Sequence, residues 1–382
     1  MIKTITSVLI SAASIFGSSG MVSQSLQNDS GWRPAWGLDR IDQRESTLND
    51  QYNYNLTGSG VDVYVFDSGI NAYHDEFEGR VKPGYSVVDD GYGYGDCNGH
   101  GSHTASLIGG KTYGVAKNVR LIPVRVLNCS NSNSSSATLY PAIDWIINDH
   151  QIGKPAVVNM SVGMPKSAAF NEAVRKLIDN GLIVVGAAGN QNRDACLYSP
   201  ASEPMIITVG GTDKADIRGT QSNYGSCVDL FAPGWDLVGA WVGGPDVYRS
   251  SSGTSNAAPI VSGIAALMLE KNPSLTQAQI EEKLKSTATA DVIYNIGAGS
   301  PNLLAYSYFS DGSQTTSPGT TTTTVAPPTT VAPTTTVAQP QVVDLRCSTP
   351  AERTRIYGVP YVCVNTGNSL MWIPKRYSPG RP

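Results

Sequence analysis

Asp67, His100 and Ser255 each sit among glycines and other small residues, in Val65-Phe66-Asp67-Ser68-Gly69, Asn98-Gly99-His100-Gly101-Ser102-His103 and Ser252-Gly253-Thr254-Ser255-Asn256-Ala257-Ala258-Pro259. A serine hydroxyl is a weak nucleophile at neutral pH and needs a base to take its proton. Of the four histidines, His74, His100, His103 and His150, only His100 has small residues on both sides that let a substrate approach. Asp67 would hold the imidazole in one tautomer and stabilise the imidazolium formed as Ser255 attacks a carbonyl. The resulting oxyanion needs donors. Asn190, in Gly186-Ala187-Ala188-Gly189-Asn190, would supply its side-chain amide beside the backbone N–H of Ser255. An aspartate after a strand, or a serine in a glycine-rich turn, is ordinarily a cap or turn residue. Four such elements in this order and context point instead to acyl transfer. His103 reads as a packed helix-face residue, and His74 and His150 as surface residues.

Positioning these groups falls to an alternation of apolar runs and amphipathic stretches. The runs at 61–66, 119–127, 156–160, 182–187 and 206–209 are apolar on both faces, as parallel strands covered by helices on either side are. Residues 168–180 put Phe170, Ala173, Val174, Leu177 and Ile178 on one helical face, with Gly181 where a helix commonly stops. The expected fold is α/β, an open doubly wound sheet whose ligand crevice lies at the carboxyl ends of the strands. Asp67 falls directly after one strand and Asn190 shortly after another. Ser255 opens the apolar segment 257–269, so its hydroxyl is expected at a helix amino terminus, where partial positive charge favours an oxyanion.

The 382 residues, 40% hydrophobic, allow a large core plus something small. A net charge of −4 without a basic run argues against nucleic acid as a partner. Lys3, the apolar stretch 8–16 and the small residues 17–20 make residues 1–28 read as a secretory signal peptide. No other segment is apolar for the ~20 residues of a membrane span. Six cysteines in an exported chain favour disulfides over metal sites. Cys97, Cys129, Cys196 and Cys227 fall in the large domain, and Cys347 and Cys363 lie alone in the tail. Residues 313–340 turn abruptly to Thr, Pro, Val and Ala, a composition that cannot bury a core. The expected organisation is a signal at 1–28, a catalytic domain at 29–310, a Thr/Pro-rich linker at 311–340 and a cysteine-containing module at 341–382. That module is expected to be closed by a disulfide between Cys347 and Cys363, and its Tyr357, Tyr361 and Trp372 would contact a cell-wall polymer or fill a minimal core. A monomer is the default.

The order Asp, His, Ser is that of subtilisins. The chain resembles the subtilisin-like proteases of the proteinase K group, most of all the aqualysin-like bacterial members, over about residues 32–308. The resemblance runs from Pro34-Ala35-Trp36-Gly37-Leu38-Asp39-Arg40-Ile41-Asp42-Gln43 through Tyr198-Ser199-Pro200-Ala201 and Asn223-Tyr224-Gly225-Ser226-Cys227 to Pro301-Asn302-Leu303-Leu304. It implies a secreted serine endopeptidase of broad specificity, acting on proteins or peptides with an apolar or aromatic P1 residue. It also implies disulfides Cys97–Cys129 and Cys196–Cys227. It implies structural calcium, one ion at the carbonyls of Pro204 and Ile206 and the carboxylate of Asp229. A second would sit at Asp39, Asp42 and Gln43, with Asn49 and Gln51 as further partners; otherwise Asp39 and Asp42 form a solvated acidic turn. Substrate would lie as an added strand, with Ser161, Val162 and Gly163 as one rim and S1 wall, Ala187, Ala188 and Gly189 as the other wall, and 131–134 as the opposite rim.

The chain departs from the family pattern where Asn256, Ala258 and Ile260 replace the usual methionine, threonine and histidine, and where Met164-Pro165 replaces glycines. The family's prodomain is also expected between signal and catalytic domain, yet the resemblance starts almost directly after the signal-like segment. Two other readings follow: a non-catalytic homologue that binds peptides or a surface, and an esterase using the same triad. The second lacks the Gly-x-Ser-x-Gly elbow.

Overall fold

In a computed structural model the described residues are 21–26, 35–131, 136–307, 353–356, 359–365 and 370–374. The chain divides into two units, Met1–Gln314 and Thr315–Pro382. The first runs β1 (Val22–Ser25), α1 (Trp36–Ile41), β2 (Gln51–Tyr54), β3 (Asp62–Asp67), β4 (Tyr85–Ser86), α2 (His100–Gly109), β5 (Arg120–Arg125), α3 (Tyr140–Asp149), β6 (Ala156–Met160), β7 (Met164–Pro165) and α4 (Ala168–Asp179). It continues through β8 (Ile183–Ala187), β9 (Tyr198–Ser199), β10 (Ile207–Thr212), β11 (Leu230–Pro233), β12 (Leu237–Ala240), β13 (Tyr248–Ser251), α5 (Thr254–Lys271), α6 (Gln277–Thr287), β14 (Thr289–Ala290) and β15 (Leu303–Leu304).

The apolar runs become strands because each has two faces to bury. In β3, Val63 and Val65 join one core while Tyr64 and Phe66 join another. In β8, Ile183 and Val185 take the first side and Val184 the second. The first core is closed by α5, through Ile260, Val261 and Ile264, and by Ala105 and Ile108 of α2. The second is closed by α3 and α4, through Ile143, Ile146, Phe170, Val174 and Leu177. Burying each of these large aliphatic or aromatic side chains is worth roughly 1.5–3 kcal/mol.

The strands form a nine-stranded sheet in the order β14-β15-β11-β10-β8-β6-β3-β5-β4. Every neighbouring pair is parallel except β14 with β15. With helices on both faces this is the doubly wound α/β architecture expected. The chain steps from β3 to β5 in one direction, then recrosses β3 to lay down β6 on its other side. That reversal opens a crevice at the carboxyl ends of β3 and β6.

Both expected disulfides of the large domain are present, Cys97–Cys129 and Cys196–Cys227, with Cα separations of 5.0 and 5.3 Å. They close loops of 32 and 31 residues, which in the chain-entropy model is worth roughly 4 kcal/mol each. In the second unit β16 (Arg353–Ile356), β17 (Val359–Asn365) and β18 (Leu370–Pro374) form an antiparallel sheet. Cys363 lies in β17; Cys347, its expected partner, falls outside the described residues, as do 1–20 and the linker.

Candidate active site

Asp67 ends β3 and His100 opens α2. The two meet in the crevice, with His100 Nδ1 2.6 Å from Asp67 Oδ1. Asp67 is fully buried, and the imidazole keeps 18% of its surface exposed. Thr104, one turn along α2, donates its hydroxyl to Asp67 Oδ2 at 3.3 Å, and the N–H of Ser68 donates to Oδ1 at 2.7 Å. The carboxylate is therefore held on both oxygens. With Asp67 accepting, Nδ1 carries the proton and Nε2 is left basic.

Asp96 locks the junction between β3 and α2. Its Oδ1 accepts from the Ser68 hydroxyl and the N–H groups of Asn98 and Gly99, and its Oδ2 from the N–H and hydroxyl of Ser102. Ser68 Oγ in turn accepts the Gly101 N–H at 2.9 Å. The backbones approach so closely that a Cβ on Gly101 would lie 2.1 Å from the Gly69 carbonyl oxygen, which is why this helix must start with glycine beside His100. The pull on the His100 proton has two signs. Burial disfavours the imidazolium, but the charge and hydrogen bond of Asp67, with the charge of Asp96, outweigh it and hold the pKa above 6.5.

Ser255 is the second residue of α5, whose first-turn N–H groups have no helical acceptor. Thr254 N–H goes to Asn190 Oδ1 at 2.9 Å, and the Thr254 hydroxyl donates to the same oxygen while accepting the Gly189 N–H. This orientation leaves Asn190 Nδ2 as an outward donor. A Cβ built on Gly253 would lie 3.1 Å from Asn190 Nδ2 and 3.4 Å from Ser255 Oγ, so amide and hydroxyl flank one glycine whose φ is 148°. Only a residue without a side chain leaves that space open.

Pro259 lies inside α5 and has no N–H to give the Ser255 carbonyl one turn back. Ser161, just after β6, donates its hydroxyl to that carbonyl instead, at 2.9 Å. Behind it the buried Asn159 donates Nδ2 to Ser161 Oγ and accepts the Ser262 hydroxyl on Oδ1. Val162 is nearly buried and Gly163 exposed on the same segment; across from them, Ala188 is fully buried in a small core with Phe231, and Gly189 is half-buried. Among the described residues no hydrogen bond joins His100 to Ser255; such bonds often tighten only with substrate bound. Asn131 has a φ of 58°, and 132–134 of the expected opposite rim lie outside the described residues.

The other histidines are internal. His103 donates Nε2–H to the Leu237 carbonyl at 3.1 Å, and burial pushes its pKa down to about 4. The surface reading of His74 and His150 is corrected. His74 is 1% exposed, accepts the Glu76 N–H on Nδ1, donates to the Val247 carbonyl and packs edge-on against Tyr248. His150 is 9% exposed. Of the family departures, Asn256 is buried and donates to the Gly234 carbonyl at 3.2 Å, and Ile260 sits in the core. Gly253 N–H reaches the same Gly234 carbonyl at 2.8 Å, so Asn256 braces the loop that precedes Ser255.

The acidic groups expected to hold calcium differ sharply. Asp39 Oδ1 and Oδ2 accept the N–H groups of Asn49 and Asp50, at 3.2 and 2.6 Å. Asp42 Oδ2 accepts from the backbone and side chain of Asn53, whereas Asp42 Oδ1 is buried without any donor. Burial, aided by the charge of Asp39, pushes Asp42 up to about 6. Gln43 Nε2 donates to the carbonyls of Glu45 and Thr47, which leaves Oε1 as the acceptor of that amide. Two buried carboxylates with an orphaned oxygen suit a hard dication. At Asp229, by contrast, Lys285 Nζ lies 2.6 Å from Oδ1 and the Thr208 N–H donates to Oδ2 at 2.8 Å, an arrangement that does not fit a divalent ion.

A doubly wound sheet with a buried Asp–His pair at its switch point and a serine at a helix amino terminus defines a hydrolase-like site in an α/β protein. Residues 58–332 match the model of the subtilase family, peptidase S8, and the chain belongs to that family. It is 50% identical over 274 residues to an extracellular serine proteinase of Thermus sp. (strain Rt41A), covering 72% of this chain and 66% of the relative. It is 47% identical over 272 residues to alkaline serine exoprotease A of Vibrio alginolyticus, covering 71% of this chain and 50% of the relative. The match thus spans less than two thirds of either relative's length. A crystal structure of a cold adapted subtilisin-like serine proteinase superposes with a TM-score of 0.69 at 46% identity, covering 72% of this chain and 98% of that one.

Proposed function

We propose that this protein is a serine endopeptidase that cleaves peptide bonds through an acyl-enzyme on Ser255. The observation that carries the reading is the 2.6 Å pairing of buried Asp67 with His100, whose free Nε2 is left as a base. His100 takes the proton of Ser255 as the hydroxyl attacks, and Asp67 stabilises the imidazolium. The proton then passes to the leaving amine, and water repeats the sequence on the ester. The Ser255 N–H and Asn190 Nδ2 hold the oxyanion. Substrate adds as a strand along Ser161–Gly163, with its P1 side chain between that segment and Ala187–Gly189, where small and buried apolar residues favour apolar or aromatic groups.

The test is intact-mass analysis after a fluorophosphonate probe. One adduct is expected, and none on Ser255→Ala; a folded protein that stays unlabelled would sink the proposal. No observation favours the non-catalytic reading, since the substitutions that prompted it are accommodated in the core and in the Gly234 brace. Asn190→Ala is expected to lower kcat by about 100- to 1,000-fold with little change in KM, a magnitude that is subtilisin's own. A rise in KM with kcat unchanged would assign Asn190 to ground-state binding.

Export fits the relative from Thermus, whose name describes an extracellular enzyme. The signal is best ended before residue 22, not at 28, because Val22–Ser25 pairs with β2 and Leu26 is buried in the main core. The organisation is then a catalytic domain, a linker and a tail module whose aromatic residues either contact a polymer or fill a minimal core, with a monomer as the default. Among the described residues no helix is long and apolar enough to cross a membrane.

A structural calcium ion would be held by Asp39, Asp42 and Gln43. Bound there it would neutralise the two buried carboxylates and tie α1 to the 49–53 segment. Calcium is expected to raise the thermal midpoint of chelator-treated protein, and Asp42→Asn to abolish that increment; an unchanged increment would move the ion elsewhere.

A further inference from the structure

The acidic cradle at Asp229 already contains a cation. Lys285, in the last turn of α6, contacts Asp229 Oδ1 at 2.6 Å, and the same ammonium lies 2.5 Å from Glu281 Oε1 one turn earlier. Glu four residues before Lys is the favourable order on a helix, so the ammonium is held from its own element as well as from across the gap. The second carboxylate oxygen is taken by the Thr208 N–H. Gln277, at the start of α6, reaches toward the same region: it donates to the Met205 carbonyl at 2.8 Å and pairs with both backbone groups of Val184. The Met205 carbonyl is therefore tied to the first turn of α6, while the last turn of the same helix supplies the Lys285 that meets Asp229.

Calcium needs six to eight oxygen ligands, and an ammonium supplies three donors and no acceptor. A dication on Asp229 Oδ1 would sit directly beside that ammonium and repel it. The contrast with Asp42 is direct, because there one carboxylate oxygen is buried with no donor and no cation. We propose that the Lys285 ammonium is the permanent cation of the Asp229 cradle, replacing a bound divalent ion with a charge carried on the chain itself. The cradle then cannot be emptied by a chelator, and it binds no calcium while Lys285 is present.

The proposal is independent of catalysis, so the full chain is used with Ser255→Ala to prevent self-digestion. Calcium binding is titrated calorimetrically, and thermal midpoints are read in chelator and in calcium. The parent and Asp229→Asn are expected to bind the same number of ions. Lys285→Gln is expected to bind one more, to unfold at lower temperature in chelator, and to recover with calcium; adding Asp229→Asn removes the gained ion. A parent ion that Asp229→Asn loses would overturn the proposal, as would a Lys285→Gln protein that gains none. Should Asp229→Asn not fold, the Lys285→Gln titration decides alone.

Discussion

Ser255→Ala is expected to lower kcat on a peptide substrate by about 10^6-fold with KM nearly unchanged, the loss known for this substitution in subtilisin itself. The substitution removes one oxygen and leaves the backbone that carries it. The Ser255 N–H stays at the start of α5, and Asn190 stays fixed by Thr254. Oxyanion donors and substrate binding should therefore still give roughly 10^3- to 10^4-fold over water. His100→Ala placed on top of Ser255→Ala should cost little more, because a base without a nucleophile has nothing to activate. Single-turnover kinetics on protein free of wild-type contamination would check both values. A variant that kept more than a percent of activity would mean that another residue attacks.

Asp67→Asn is expected to lower kcat by about 10^4-fold, again the size known in the serine-protease families. An asparagine amide can turn its N–H toward Nδ1, which forces the imidazole proton onto Nε2 and leaves no lone pair for Ser255. The pH profile separates this from simple misfolding. In the parent the base must be neutral, and its pKa lies above 6.5, so kcat/KM should rise with pH through that value and level off in alkali. Removing the Asp67 charge leaves burial as the main influence on His100, so the rising limb of the residual activity should move to lower pH. The stability sign is the opposite one. A histidine whose folded pKa is raised contributes stability that is fully present below its unfolded pKa and lost as pH rises through the folded one. Asp67→Asn should thus destabilise more at pH 5 than at pH 9.

The parts legible in the sequence were those with a local pattern. The runs at 156–160 and 182–187 became β6 and β8 because both faces of each strand are buried, and residues 168–180 carried their helical stripe into α4. Asp67, His100, Asn190 and Ser255 were visible because small residues surround them. What escaped depends on partners far apart in the chain. Asp96 reads as an ordinary turn acid until Ser68 and Ser102 converge on it. His74 looks polar and exposed until Tyr248, from a distant hairpin, covers it. Lys285 carries no local sign that it will meet Asp229, so the calcium expectation there followed a resemblance that the charge pairing does not support. Pro259 carries a local sign of its own: an interior helix proline orphans a carbonyl, and here the orphan belongs to Ser255.

That orphaned carbonyl has a mechanical consequence. Ser262, Asn159 and Ser161 form one relay of donors that ends on the Ser255 carbonyl, leaving the Ser255 hydroxyl outside it. The edge against which a substrate strand would be aligned and the residue that would cut it are thereby one rigid piece. Movement of the rim would carry Ser255 with it, so the position of a cut along a bound chain would be indexed by the protein's own framework.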